Sequence, residues 1–354
     1  MVKSRGAGRP GGTINTLLTS AGRRNYLVEY FQEALRGRGR VFAADAHEGA
    51  PALQEADGVV VMPPADDPHY VDALLEFCEA QRIGLLVPLS DLELPGLAAA
   101  QGRFAALGTT VLVSSPAVVG RCADKWATYE FLRLHGFRTP TTYLNLADVQ
   151  RALAEGRERF PLVLKPRYGS AALGLEFVYD DDELELGYEL LGRRLARTTL
   201  AYGPGATQDA ADQTVLVQAF VAGDEYSLDL VCDLSGRYVT TLAKQKLGLR
   251  AGDTDSAVTV SDPALTDLGR DLCRALGPVG VADCDVFVGA EGPTVLELNP
   301  RFGNAYPFAH VAGADLPAAV VAWARGDLPE PGWLRAEPGV TAARYSRLML
   351  TSPG

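Results

Sequence analysis

Basic charge is in deficit: 33 lysines and arginines stand against 44 aspartates and glutamates over 354 residues, a net charge of −11. A protein whose main task is nucleic-acid binding needs a basic surface to neutralise phosphates, so no nucleic-acid partner is expected. No run approaches the ~18 apolar residues of a membrane span, so no membrane partner is expected either. The opening stretch MVKSRGAGRPGG has no apolar h-region and is not a signal peptide. Residues 1–12 read as a disordered tail, and a cytoplasmic location follows as an expectation. Cys78, Cys122, Cys232, Cys273 and Cys284 are scattered, with no CxxC spacing and no histidine partner nearby. Buried free thiols in a reducing compartment are therefore expected. The dinucleotide fingerprint is missing too: Ser20-Ala21-Gly22-Arg23-Arg24 offers one glycine where GxGxxG needs three. No internal repeat is evident.

The composition that remains, 47% hydrophobic and 22% charged, is that of a soluble globular chain long enough for two or three domains. Apolar runs at 13–19, 41–45, 58–61, 84–88 and 110–114 alternate with helical spacing at 26–35 and 70–81. That alternation predicts a doubly wound parallel α/β sheet. Residues at its strand ends, Arg23, Arg24, Asp45, Ser90, Asp91 and Glu93, line a crevice in such sheets; each serves equally as turn or cap chemistry. Residues 116–135 read as a helix pair, with Asp124 capping the second helix at Lys125 and Gly136 closing it.

A second unit follows. The strand Phe160–Pro166 carries Lys165 near its end, and a small-residue loop from Arg167 to Gly174 comes next. Loop amides and a cation can hold phosphates, although turn glycines beside a surface lysine would look the same. It is not the GxxxxGK[ST] loop, because the lysine comes first. Further strands are expected at 176–179, 214–220 and 226–232, helices at 180–194, 262–276 and 316–324, a polar loop at 198–213, and a basic patch at Lys244–Arg250.

The segment 281–304, VADCDVFVGAEGPTVLELNPRFGN, reads as a β-hairpin around a five-residue GAEGP loop. With Val288 opposite Thr294, Asp285 falls opposite Glu297, on the face shared with Asn299, while Leu296 and Leu298 share the other face. Facing carboxylates repel. An exposed polar face would accommodate them, and so would a divalent cation held by oxygen ligands, Mg²⁺ above all. Arg301 adds a cation just beyond, and Gly303 a bend.

Taken together, the strand lysine before a glycine loop, GDEYSLD at 223–229 and the D-x₁₁-E-x-N-P-R run ending at Arg301 resemble the ATP-grasp superfamily. The nearest likeness is to the large subunit of carbamoyl-phosphate synthase and its stand-alone ligase relatives, over residues 13–328. LELNPRFG is its most specific piece. The resemblance implies an α/β fold: a Rossmann-like pre-ATP-grasp domain at 13–115, then a two-subdomain α+β ATP-grasp fold. Linker helices and a small subdomain would occupy 116–220, and the metal-bearing subdomain 221–354. It implies that Lys125 and Lys165 contact nucleotide phosphates under a flap that includes Gly169, Ser170 and Gly174. Gln218, Ala219, Phe220 and Val221 would hold adenine, with the Gln218 amide N–H₂ toward a ring nitrogen, and Glu225 would hold the ribose. Asp285, Glu297 and Asn299 would bind one or two Mg²⁺, with Mn²⁺ an alternative, and Arg301 and Arg250 would be catalytic. Lys244 and Lys246 sit beside Arg250 where relatives keep substrate or phosphate contacts. The implied reaction joins small-molecule carboxylate and amine substrates, amino acids foremost, through an acyl phosphate; homodimers are common in such relatives. Bicarbonate activation and nucleotide binding without turnover are the alternatives. Against the first stand a single ATP-grasp unit and no biotin-attachment domain; against the second, a full complement of ionisable metal-site residues.

Overall fold

The computed structural model describes residues 12–169, 174–198, 213–250 and 252–350. Its first part is β1 (Asn15–Thr19), α1 (Asn25–Leu35), β2 (Val41–Asp45), α2 (Pro51–Glu55), β3 (Gly58–Val61), α3 (Tyr70–Gln81), β4 (Ile83–Pro88), α4 (Leu94–Ala106) and β5 (Thr110–Val111). The strands form one parallel sheet in the order β3-β2-β1-β4-β5. Strand order reverses between β1 and β4, so a crevice opens at their carboxyl ends, the usual ligand position in such sheets. Helix α4 was not expected from the sequence. Its small residues and two glycines blur the helical period, yet Leu94, Leu97, Ala98 and Phe104 are buried.

Helices α5 (Pro116–Ala123) and α6 (Lys125–Leu134) follow, and Asp124 caps α6 by accepting from the Trp126 N–H at 2.9 Å. Then come β6 (Thr142–Tyr143), α7 (Leu146–Ala154), β7 (Leu162–Pro166), β8 (Glu176–Val178), α8 (Asp181–Leu195) and β9 (Val215–Ala219). These strands make a small antiparallel sheet, β6-β9-β7-β8, over a core of its own that includes Leu162, Leu164, Leu184, Leu191 and Val217.

The third sheet uses β10 (Asp224–Cys232), β11 (Tyr238–Arg250), β12 (Asp253–Val260), β13 (Val281–Gly289), β14 (Gly292–Asn299) and β15 (Thr341–Ala343), in the order β14-β13-β10-β11-β12-β15. Helix α9 (Pro263–Leu276) packs on it, and α10 (Tyr306–Val311) and α11 (Leu316–Arg325) complete the unit. One core joins this unit to the parallel sheet: Leu18 and Phe31 share it with Val231, Leu242, Phe302, Tyr306, Leu316 and Val320. All five cysteines are buried and unpaired. Among the described residues no helix is long and apolar enough to cross a membrane.

Two sequence expectations need correction. The Lys244–Arg250 patch is the end of β11, paired with β12, which the sequence did not reveal. Lys244 is fully buried while Leu247 and Leu249 are more than half exposed, an inverted polarity that hides the strand's period. The hairpin also differs in detail. Its turn is tighter, with Gly289 opposite Gly292 and Val288 opposite Pro293, but a bulge between Val286 and Asp285 restores the pairing of Asp285 with Glu297. The bulge splits Leu296 from Leu298: Leu298 enters the core with Val295, and Leu296 turns to the other side.

Candidate active site

A cleft lies between the small sheet and the β13–β14 hairpin, lined by Lys125, Pro140, Val163, Lys165, Gly169, Leu175, Phe177, Gln218, Ala219, Phe220, Val221, Phe287, Leu296 and Glu297. Its walls are mostly apolar, and its charges gather toward Lys125, Lys165 and Glu297. Phe177 and Phe220 meet edge to face at 6.1 Å at its rim, both about half exposed, so they offer flat apolar surface to a planar ligand. Phe177, Phe287 and Leu296 were not singled out from the sequence. Each sits on a strand face whose direction depends on register or on the bulge.

Lys165 projects from β7 and donates to Gln218 Oε1 at 2.8 Å; the Gln218 amide N–H₂ donates to Thr142 Oγ1, also at 2.8 Å. An ammonium only donates, so it fixes which way the amide points. Gln218 is thus spent on holding Lys165 and does not turn its N–H₂ toward a base. The Ala219 N–H is likewise taken, donating to Thr141 O at 2.9 Å. Phe220 and Val221, past the last ladder residue, remain for backbone recognition of a base.

Burial lowers Lys165 to about 8, with Glu297 opposing the shift and Lys125 adding to it. If Lys165 holds a nucleotide phosphate, as the resemblance implies, phosphate favours the charged amine and binding above that value requires proton uptake. MgADP affinity is therefore expected to fall as pH rises past about 8, by up to about tenfold per unit. Gln218→Glu would put a carboxylate on the amine and move the fall to higher pH. Titrations of nucleotide binding between pH 7 and 9.5 check this; a flat profile in both proteins removes Lys165 from the phosphate site.

Lys125 opens α6 beneath the loop. Its Nζ donates to Gly169 O and lies 4.0 Å from Glu297 Oε1. Arg167 is held by Asp124 through two bonds, of 2.8 and 2.6 Å, which ties the start of the glycine loop to the α6 cap. Gly174 has φ +73, and a Cβ there would meet Leu191 at 2.9 Å. Ser170 lies outside the described residues.

On the hairpin side, Lys246 Nζ bridges Glu225 Oε1 at 2.6 Å and Asp285 Oδ1 at 2.7 Å. Burial alone would lower Lys246, but Asp285 and Glu225 more than offset it and the amine is raised. Burial raises Asp285, with Asp283 and Glu297 adding to it and Lys246 opposing. Asp285 and Glu297 face each other across the ladder, and Asn299 follows two residues on. Among the described residues no three carboxylate, histidine or cysteine side chains converge as a metal cluster. Two carboxylates and an amide are nevertheless an oxygen-only donor set, and they fit an ion that shares its remaining positions with phosphate. The Asn299 side chain has no hydrogen-bond partner among the described residues, which leaves its oxygen free to face such an ion.

Arg301 is buried. It donates from Nη2 to Asp91 Oδ2 at 2.7 Å and from Nη1 to Phe302 O at 3.0 Å. Arg250, by contrast, is exposed at the end of β11, and its side-chain contact among the described residues is with Asp255, at 3.4 Å, not with the cleft residues. Lys244 is structural, paired with Asp229 at 2.5 Å where both side chains are fully buried. Of the strand-end residues, Asp45 caps the first turn through the Gly22 and His47 N–H groups. Glu93 is buried against Tyr70 and two N–H groups, while Asp91 and Arg24 reach the 301–304 loop.

Gly303 serves a close approach rather than a bend. A Cβ there would lie 2.5 Å from Asp283 Cγ and Oδ1, and Asp283 is held by Ser227 Oγ at 2.8 Å. Gly303→Ala is expected to destabilise the protein by about 1–3 kcal/mol through this overlap. Denaturant unfolding measures it, and unchanged stability would mean that the loop yields freely.

A family model described as an ATP-grasp domain matches residues 122–305, and one described as PylC-like, N-terminal domain matches residues 16–112. The carbamoyl phosphate synthase large chain of Mycobacterium sp. (strain JLS) is 26% identical over 240 residues, which cover 65% of this chain and 20% of that protein. The chain thus spans about a fifth of the length of the curated relatives it matches. Among solved structures, the Campylobacter jejuni biotin carboxylase in its β-γ-ATP complex aligns with TM-score 0.71 at 14% identity, covering 91% of this chain and 74% of that one. The L-amino acid ligase of Bacillus licheniformis aligns with TM-score 0.66 at 18% identity, covering 92% and 78%. These likenesses concern the fold.

Proposed function

The chain belongs to the ATP-grasp family, and from that premise we propose that it is an ATP-dependent carboxylate–amine ligase working through an acyl phosphate. The observation that carries the reading is the gathering of Lys125, Lys165 and Lys246 about the Asp285–Glu297 pair at the polar end of an apolar cleft. Phosphoryl transfer needs positioning and charge neutralisation more than covalent help from the protein.

In this reading Phe177, Phe220 and Leu296 bracket the base, and the backbone at Phe220 and Val221 reads its edge. Lys125 and Lys165 take the phosphates, and the Gln218 contact keeps Lys165 aimed at them. Asp285, Glu297 and Asn299 would hold Mg²⁺, which when bound neutralises phosphate charge. Arg301, braced by Asp91, steadies the phosphoryl group in transfer. The carboxylate oxygen displaces ADP at the γ-phosphorus, the amine then attacks the acyl carbon, phosphate leaves, and the amine loses a proton. Apolar walls keep water from the acyl phosphate, whose hydrolysis would waste it.

Phosphate release from ATP and Mg²⁺ in the presence of amino-acid pools tests the reading. Release that needs two pool members supports ligation. Release that needs bicarbonate shifts the assignment to bicarbonate activation; the biotin carboxylase domain of a Hydrogenobacter thermophilus carboxylase, which shares this fold, was solved with MgADP and bicarbonate. No release with any pool leaves nucleotide binding alone.

A further inference from the structure

Arg24 is a cation that the reaction above does not use. It ends the turn after β1, and its Nε donates to Asn304 Oδ1 at 3.1 Å. No carboxylate of the described residues lies within ion-pair distance of it, and neither Nη group has a partner among them. It is partly buried. Burial lowers its guanidinium below the ordinary value, and Arg301 adds to that effect while Tyr26, Asp91 and Glu93 oppose it. A guanidinium withdrawn from water without a counter-charge is costly.

The nearby carboxylates are committed elsewhere. Asp91 holds Arg301 at 2.7 Å, and Glu93 accepts from Tyr70 Oη at 2.5 Å and from the Leu89 and Ser90 N–H groups. Asn304 is itself fixed, donating to Asp253 at 2.6 Å and accepting at its carbonyl from Arg344. Arg24 is thereby aimed from the β1–β4 crevice at the loop that carries Arg301. Helix α1 starts at the same turn with no side-chain cap and no acid in its first turn, which leaves its positive end unopposed.

We propose that Arg24 binds a carboxylate that the reaction does not activate, so that one substrate is an amino acid or similar molecule with a second, spectator carboxylate. This rests on the ligase reading. The carboxylate that becomes an acyl phosphate has to lie by Asp285 and Glu297, whereas Arg24 stands on the strand ends of the other sheet. A single free guanidinium fork matches a planar carboxylate through two bonds.

The test uses the full chain with MgADP and follows Tm as each L-amino acid, or its α-carboxamide, is added. At least one acid should raise Tm where its amide does not. Arg24→Gln should lose that rise and keep the rise from MgADP, which shows that it is folded; Arg24→Lys should fall between. In turnover, Arg24→Gln should raise the KM of that substrate about tenfold or more, the size of one charged hydrogen bond, with the loss on KM rather than kcat. The proposal is overturned by equal responses to acid and amide, by an unchanged shift in Arg24→Gln, by no response to any amino acid, or by an Arg24-dependent response to inorganic phosphate alone. A carboxylate-specific shift lost in Arg24→Gln, but without phosphate release from any pool, keeps the subsite and removes the ligase reading. Phosphate release that is indifferent to Arg24→Gln does the reverse.

Discussion

Glu297→Gln is expected to abolish turnover and leave the fold intact. The side chain faces Asp285 across the β13–β14 ladder, and its ion pair among the described residues is with Lys125 at 4.0 Å. It accepts no protein hydrogen bond among the described residues and is 23% exposed, so glutamine leaves no buried orphan behind. Stability should change by less than about 1 kcal/mol. The transferred phosphoryl group, by contrast, loses part of the charge arrangement that neutralises it. Removing one preorganised electrostatic contact of this kind lowers kcat by about a hundredfold or more. Phosphate release beside a thermal melt separates the two effects. Undiminished release would sink the metal assignment.

Lys246→Met should be nearly as severe, in a different way. The amine is the shared counter-ion of Glu225 and Asp285, and its side chain is only 9% exposed. Methionine keeps the bulk and removes the charge, which leaves Asp285 beside Asp283 and Glu297 with no cation between them. A loss of roughly 1–3 kcal/mol is expected, toward the low end because both carboxylates are about a fifth exposed. Turnover should fall about a hundredfold. The discriminating readout is Mg²⁺: a divalent ion can take over the neutralising role, so Mg²⁺ should raise the Tm of this variant more than that of the unmodified protein. Equal responses would place Lys246 away from the ion.

Much of this was legible in the sequence, for a physical reason: buried parallel strands must be apolar and short, and their alternation with helices shows in composition. The facing of Asp285 and Glu297 was legible too, though through a register off by one at the turn that the bulge then cancels. Bulges leave no mark on a pattern of period two, so the turning of Leu296 into the cleft could not be read. The end of strand β11 was hidden because Lys244 and Lys246 point in while Leu247 and Leu249 point out. Lys244, Lys246 and Arg250 all read as candidate contacts, Arg250 foremost, because without the strand's register nothing in the sequence tells Lys246, which meets the carboxylates, from its neighbours. The Gln218 contact was derivable in principle, since an ammonium beside an amide must take its oxygen, but it needed β7 and β9 to be known neighbours. The Asp91–Arg301 and Arg24–Asn304 pairs span 210 and 280 residues of sequence, where local pattern carries no signal.

The core that runs from Leu18 and Phe31 through Phe302 to Val320 has a mechanical consequence. Sliding the parallel sheet over the hairpin unit would expose that core, so the two behave as one anvil that keeps Arg24, Asp91, Arg301 and the carboxylate pair in fixed mutual position. The small sheet has its own separate core and can tilt without exposing either. It carries Lys165, Gln218 and the aromatic rim. In the proposed reaction, nucleotide entry and exit are then expected to move the small sheet, while the substrate end of the site is expected to keep its geometry from one turnover to the next.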